Sequence, residues 1–596
     1  MAETTLPSFA PGTLDARIDD PTLAAAVAAA LARAGAERWS ERLYERDTSL
    51  WSGDPAVQEK VANRLGWLHL PIDFSDQIPA LEAFGETIRD AGFTAAIVAG
   101  MGGSSLAPEV IATAFGDVED WLTIRVLDST DPDAVRAAWD GLDPLATLFI
   151  VGSKSGTTTE TLAFQADAWQ RVHDALRSQG ARIESPGEFM VAVTDPGKSL
   201  AAIPRQAEMR GVFLNPESVG GRYSALSYVG LLPASLAGVD LDPFLASAVG
   251  MHARCMAADP TANPGLALGA TLGALAAAGR DKLTLVVDPA IGPLGAWLEQ
   301  LIAESTGKLG TGIVPVDREP LGAPAAYGSD RAFVRIALDG ASSPAAAPDG
   351  TSAEALLDAL AAAGHPVLHF TLTDPIDLAA EFLRWEIATA IIGVILNVNP
   401  FDEPNVTESK ENTKRVLDEL ERHGAFPAEE PLATGDGITL FGDTPLRLSA
   451  GDGTVVGELR RHLERIHPGG YVAIGAFVAP TAGRADAVDR LRARLRDATG
   501  SATTGGFGPR YLHSTGQLHK GGPAIGWFLQ LTSDHPADLA VAGKPYTFGQ
   551  LIDAQARGDL EALEAHDLPV LRVHLGADVE AGLAALDAAL ATALRQ

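Results

Sequence analysis

The 596-residue chain has one cysteine, six methionines and few aromatics, 6% of its residues. The single cysteine, Cys255, cannot close an internal disulfide. The fold is therefore expected to stand without cross-links, in a reducing compartment such as the cytoplasm. As a lone thiol, Cys255 reads as a small buried hydrophobe rather than a nucleophile. Basic charge is scarce: 45 Lys and Arg stand against 77 Asp and Glu, a formal net charge of −32. Nucleic acid demands clustered Lys and Arg, so it is excluded as a partner. An anionic small molecule remains open, but it would need a locally basic, donor-rich pocket. Long apolar runs are also missing. The longest, residues 387–398, is shorter than the ~20 residues of a membrane span. It reads as a buried core helix, so no membrane partner is expected. The opening MAETTLPSFAPG carries an acid and neither the basic region nor the apolar run of a signal peptide. No metal-ligand spacing occurs, so no metal is expected.

What is present is the composition of a soluble globular protein, 46% hydrophobic and 20% charged, too long for one core. Residues 1–91 read as a helical segment. From Thr94 the pattern becomes strand–helix alternation with continuous apolar strands (TAAIVAG, LTIRVLD, TLFIVGS, FMVAVTD), the mark of a parallel sheet covered on both faces. A mostly helical stretch follows, and the alternation restarts at KLTLVVD, AFVRIAL and PVLHFTL. Residues 425–437, rich in Pro, Gly and acids, read as a linker. A third α/β pattern follows with YVAIGAFV, GWFLQLT and PVLRVHL. The expected architecture is thus α/β. A helical segment (1–91) precedes two doubly wound parallel-sheet units, 92–260 and 261–424, and an additional α/β domain covers 438–596. In such sheets ligands bind at the C-terminal ends of the strands, which directs attention to the loops there.

The segment FIVGSKSGTTTETLAF, residues 149–164, empties an apolar strand into a burst of hydroxyls around Lys154. Ser153, Ser155 and Thr158 with one ammonium suit a compact anion such as phosphate. The earlier turn AGMGGSSLAPE offers the same chemistry on a smaller scale. Gly102 and Gly103 admit close backbone approach, and Ser104 and Ser105 stand at a positive helix N-terminus. In SVGGRYSALSYVG a guanidinium, Arg222, follows two glycines at a tight turn. In EQLIAESTGKLG, Gln300 and Glu304 are four apart and share a helix face. Glu304 there reads equally as a general base or as a solvated helix-end acid. Lys410, in NVNPFDEPNVTESKENTK, reads on its own as a solvated helix lysine.

Together these residues resemble the glucose-6-phosphate isomerase family, built from two sugar-isomerase (SIS) domains. The Gly-Gly-Ser turn, Ser-Lys-x-x-Thr-Thr-x-Glu-Thr, Gly-Gly-Arg-aromatic-Ser, Glu-Ser-x-Gly-Lys and Asn-x-Phe-Asp-x-Pro-x-Val-x-x-x-Lys occur in the family's order between about Gly100 and Lys410. The chain is most similar to the isomerase half of fused transaldolase/glucose-6-phosphate isomerase proteins. The transaldolase barrel is not expected, since the strand pattern starts at Thr94 and such a barrel needs about 250 residues. The resemblance implies three-layer αβα SIS domains and interconversion of glucose 6-phosphate and fructose 6-phosphate through a cis-enediol(ate). It implies a sugar-phosphate substrate, no cofactor and a possible homodimer. It assigns the phosphate to Ser104, Ser153, Lys154, Ser155 and Thr158, and counts Gly103 among the substrate-binding residues. Glu304 becomes the base, Arg222 the enediolate's counter-charge and Gln300 a sugar-positioning group. Lys410 assists at the ring oxygen or C1 hydroxyl.

One family element differs. A Gly-Thr-Asn-x-Gln-His segment normally brings the histidine that opens the sugar ring. Here the corresponding stretch is AAYGSDRAFV, with Arg331 in the histidine's place, and arginine cannot shuttle protons near neutral pH. Either another residue opens the ring, or the substrate differs, or open-chain sugar is used. The loop GPRYLHSTGQLHKGGP, residues 508–523, reads equally as a packed structural loop or as one that closes over the sugar end, with His513 or His519 replacing the missing histidine. Two rival readings follow from the same residues. One is an isomerase of another anionic hexose, mannose 6-phosphate or a sulfosugar. The other is a non-catalytic phosphosugar sensor, which would need the anion loops but not Glu304, Arg222 and Lys410.

Overall fold

A computed structural model describes residues 15–179 and 185–595; the opening MAETTLPSFAPG lies outside the described residues. Among the described residues, sixteen strands form three sheets. A three-residue strand, β1 (Asp15–Arg17), opens the described chain. The first sheet holds β2 (Ala95–Gly100), β3 (Thr123–Leu127), β4 (Thr147–Gly152), β5 (Met190–Thr194) and β6 (Gly211–Leu214), in the order β3-β2-β4-β5-β6. All its pairings are parallel. Strands β2, β4 and β5 are apolar and buried along their whole length, because helices cover both faces. The second sheet holds β7 (Lys282–Val287), β8 (Val314–Val316), β9 (Arg331–Leu338) and β10 (Val367–Leu372), with β1 antiparallel on its edge. The third holds a hairpin, β11 (Ala433–Gly435) and β12 (Ile438–Gly442), then β13 (Tyr471–Phe477), β14 (Ala502–Phe507), β15 (Gly526–Thr532) and β16 (Val570–His574).

The three sheets share one winding. The first parallel strand of each is central, the second lies on one side, and the third and fourth lie on the other. The crevice between the first and third strands is where doubly wound sheets bind ligands. In the first sheet that crevice is flanked by Gly100 and Gly152, which are register partners in β2 and β4. The two hydroxyl-rich turns therefore leave the sheet side by side.

Local chemistry explains the helices around it. Asp20 caps the helix Pro21–Ala36 by accepting from the Thr22 and Leu23 amides, with proline at its first position. Except for its last two residues, which lie past the helix end, the run predicted as a core helix falls in Leu378–Leu396, buried on almost every side. It packs against the helices Leu241–Cys255 and Pro264–Ala277. Cys255 is buried there, its thiol pushed up to about 12 by burial. One continuous apolar core runs from Leu23 to Phe401 through the first two sheets. The third sheet has its own core but docks on the first sheet through a shared cluster that includes Phe164, Val541, Phe548 and Leu551. Among the described residues no helix is long and apolar enough to cross a membrane.

Several elements depart from the sequence expectation. Residues 15–17 pair as a strand within the segment read as helical. The span read as a linker contains β11 and leads into β12. Strands β6, β8 and β14 were not anticipated either. In β14, ATTGGF, glycines stand where β-formers are expected. A Cβ on Gly505 would lie 2.7 Å from Arg492 Cδ, and one on Gly506 2.7 Å from Tyr511 Cβ. The space is filled from neighbouring elements. The 508–523 loop folds into a 3-10 turn, Arg510–His513, and a short helix, Gly516–Gly521.

Candidate functional site

The hydroxyl-rich turn is internally bonded. Ser153, buried just past β4, lies 3.0 Å from Thr158, and Ser155 lies 3.0 Å from Thr157, hydroxyl to hydroxyl. Thr158 stands at the N-cap position of the helix Thr159–Ser178, so free backbone N–H groups and the positive helix end face outward beside Lys154. Ser104, at the start of the helix Gly103–Phe115, lines the same pocket as Lys154, Asp195, Asn215, Gly221 and Ser224. Lys154 is ion-paired with Asp195 and donates to the Glu217 carbonyl at 3.2 Å. Burial raises the Asp195 carboxyl despite that lysine.

The Gly-Gly turn gathers the rest. A Cβ on Gly103 would fall 2.0 Å from the Gly221 carbonyl oxygen, so only glycine lets the 3-10 turn Gly221–Tyr223 lie against this helix. Gly102, with φ of +55°, likewise makes room for Gln300 Nε2 and the His513 carbonyl, each within 3.0 Å of where its Cβ would stand. Arg222, 2% exposed, points from that turn into the second unit. Its Nε donates to Ser305 Oγ at 2.8 Å, and its Nη2 to the carbonyls of Pro400 (2.7 Å) and Asp402 (3.0 Å). Its Nη1 faces two carboxylates, Glu304 at 3.4 Å and Glu403 at 3.2 Å. Glu304 lies in the last turn of the helix Pro293–Thr306 and is buried. Gln300, one turn earlier, donates to Glu304 Oε2 at 3.0 Å and to the His513 carbonyl at 2.8 Å. Burial raises the Glu304 carboxyl above the ordinary range, the Arg222 guanidinium pulls it back, and Glu403 pushes it up again. Lys308, the lysine of Glu-Ser-x-Gly-Lys, donates to the Asn399 carbonyl and to Asp402; burial lowers its ammonium to about 8.

The third unit reaches this group through residues 508–523. His513 Nε2 lies 3.2 Å from Glu160 Oε1, and Glu160 also accepts from Gln555 at 2.7 Å. Burial alone would raise Glu160, but the hydrogen bond and charge of His513 outweigh it, and the carboxyl is held below its ordinary range. Arg510 pairs with Glu109 and with Asp128 of the first unit. Gln517 bridges the Gly307 carbonyl and Asn405.

The structure therefore brings Gly103, Arg222, Gln300, Glu304 and the His513 backbone into one group, bordered by the Ser104–Lys154 pocket. Lys410 lies on the exposed face of the helix Val406–His423, close enough for its charge to help hold Glu160 down. His519 is not brought to the group. It is buried within the third unit against Tyr471, Tyr511 and Phe528, and burial lowers its imidazole to about 3. Arg331 is not there either. It opens β9, fully buried, with both oxygens of Glu319 at 2.9 and 3.0 Å and Thr284 at 2.7 Å. Glu319 also accepts from the Thr503 amide and hydroxyl. Arg331 thus belongs to the packing of the second unit on the third. Sequence reasoning passed over Glu160, Asp195 and Glu403. Glu160 was in plain view inside Thr-Thr-x-Glu-Thr, whereas Asp195 and Glu403 carried no signal beyond their motifs' neighbourhood.

Several known proteins are similar to this chain. The family model described as phosphoglucose isomerase matches residues 46–318. A glucose-6-phosphate isomerase of Rubrobacter xylanophilus is 30% identical over 405 residues, 58% of this chain and 88% of the relative. This chain belongs to the phosphoglucose isomerase family. The glucose-6-phosphate isomerase of Thermus thermophilus is 29% identical over 406 residues, 61% of this chain and 92% of its own. Among solved structures, a hypothetical protein of Thermus thermophilus superposes with a TM-score of 0.54 at 25% identity, across 68% of this chain and 99% of that one. The phosphoglucose isomerase match ends before the third sheet begins, yet it is the third sheet's unit that delivers His513.

Proposed function

We propose that this chain interconverts glucose 6-phosphate and fructose 6-phosphate by proton transfer between C2 and C1 of the open-chain sugar. The observation that carries the reading is the contact of Glu304 with Arg222 and Gln300, beside the Lys154 pocket. Ser104, Ser153, Lys154, Ser155 and Thr158 hold the phosphate, with two helix N-termini behind them and Gly103 admitting the neighbouring turn. Binding that end remote from the reacting carbons orients the sugar. Glu304 removes the proton next to the carbonyl and returns it to the adjacent carbon. Its raised carboxyl makes it a stronger base than a free glutamate, and Gln300 fixes the direction of its lone pairs. Arg222 meets the negative charge that develops on the enediolate oxygens. A fixed donor of this kind is worth about 3 to 4 kcal/mol to the transition state.

His513 serves ring opening by giving a proton to the ring oxygen and taking one back from the anomeric hydroxyl. Its imidazole is held 3.2 Å from buried Glu160, and its carbonyl is tied to Gln300, which ties the opening group to the base. Lys410 supports the same end through its field on Glu160. A phosphosugar sensor would need the Lys154 pocket but not the assembled Glu304–Arg222–Gln300 group.

The test is direct: purified protein is incubated with fructose 6-phosphate, and glucose 6-phosphate is read by coupled oxidation. Steady turnover is expected; binding of the sugar phosphate without turnover would support the sensor instead.

A further inference from the structure

Arg222 makes more contacts than its assigned task leaves room for. Its Nε and Nη2 are committed to Ser305 and to the carbonyls of Pro400 and Asp402, all within the core of the site. Only Nη1 faces ionised side chains, and it faces two, Glu304 at 3.4 Å and Glu403 at 3.2 Å. These two acids differ sharply in surroundings: Glu304 is 9% exposed at its side chain, Glu403 42%. A substrate oxygen that reaches Arg222 must take an N–H, and the partner with solvent to move into is Glu403.

The backbone beside Glu403 is clamped. Lys308 donates to the Asn399 carbonyl and the Asp402 carboxylate, the Phe401 amide donates to Asn399 Oδ1 at 3.0 Å, and the Asn405 amide donates to Gln517 at 2.8 Å. Rotation of one side chain, not opening of a loop, releases Nη1. Glu403 also occupies an open position of the Asn-x-Phe-Asp-x-Pro motif, so the family pattern does not dictate a carboxylate there.

We propose that Glu403 is a displaceable counter-ion of Arg222: its carboxylate and the C1 or C2 oxygen of the bound open-chain sugar compete for the same Nη1 hydrogens, and Glu403 thereby sets the affinity for the sugar end. The inference rests on the isomerase reading of Arg222. A second effect follows from the same geometry. Glu304 faces Arg222 and Tyr223 from the 3-10 turn, Gln300 on its own helix, Lys308, and Glu403 across Nη1. Of these, Glu403 is the nearby carboxylate that opposes ionisation of Glu304. Removing its charge eases that ionisation.

The experiment measures kcat and KM for fructose 6-phosphate from pH 4.5 to 9 for the wild type, Glu403→Gln and Glu403→Ala. A partly exposed ion pair is worth at most about fivefold in binding. KM is expected to fall by about threefold to fivefold in both variants, with kcat unchanged or lower. The acid limb of kcat/KM is expected to move to lower pH. Both shifts together are not what a merely structural role produces. Variants with KM equal to or above wild type and an unmoved acid limb would overturn the counter-ion and leave the isomerase reading intact. Wild-type protein that fails to turn over would overturn both.

Discussion

Replacing His513 with alanine isolates the contribution of the third unit. The imidazole touches Glu160 at 3.2 Å, while the His513 carbonyl, which accepts from Gln300, is backbone and survives the change. The Arg510 ion pairs and the Gln517 bridges are likewise untouched. The third unit therefore stays docked, and Glu160 keeps Gln555. What is lost is a proton donor at the ring. A positioned acid–base group is worth about 10²- to 10⁴-fold, or about 3 to 5 kcal/mol of barrier. In the coupled assay, kcat/KM for fructose 6-phosphate is expected to fall by at least about 100-fold, and free imidazole should restore part of it. An aldotetrose 4-phosphate cannot close a ring, because its terminal hydroxyl carries the phosphate. Any isomerisation of that substrate should be spared in the variant. Hexose phosphate turnover within threefold of wild type would refute the ring-opening role.

Three further outcomes follow. Gly103→Ala places a methyl 2.0 Å from the Gly221 carbonyl and must displace the turn that carries Arg222; since about 1 Å of misplacement costs on the order of 100-fold, kcat should drop steeply with the fold kept, and near-normal kcat would contradict the packing. Arg331→Met breaks a fully buried pair with Glu319 and should cost about 3 to 5 kcal/mol in urea unfolding while leaving KM unchanged; an undiminished stability with lost turnover would instead put Arg331 in the reaction. In wild-type protein burial raises the Glu304 carboxyl, and the base must be ionised. Activity should therefore be lost as pH falls through a value above the free-glutamate 4.3 or so, and a kcat/KM plateau extending below that pH would contradict it.

The sequence showed the strands that are apolar and central, such as β2, β4 and β5, because burial on both faces leaves a continuous hydrophobic run. It hid those whose identity depends on neighbours. Strand β14 carries glycines at Gly505 and Gly506 to admit Arg492 and Tyr511, and β8 is three residues with a proline. The hydroxyl-rich turn stood out by its residue types, whereas Glu304 read equally as a base or a solvated helix-end acid until the family resemblance singled it out. His519 was not separable from His513 on paper. Both lie in one loop, and only the fold shows that one faces Glu160 and the other a cluster of aromatic rings. Arg331 was misleading for a related reason: its place in the chain matches a catalytic position, while its side chain serves a buried ion pair that joins two units.

The central claim is that Glu304 moves the proton. Its most direct test is Glu304→Gln, which keeps shape and removes the base while leaving Arg222, Gln300 and the Lys154 pocket in place. The account predicts a kcat for fructose 6-phosphate lower by about 10²- to 10⁴-fold with sugar-phosphate binding retained. A variant that turns over within tenfold of wild type would contradict it.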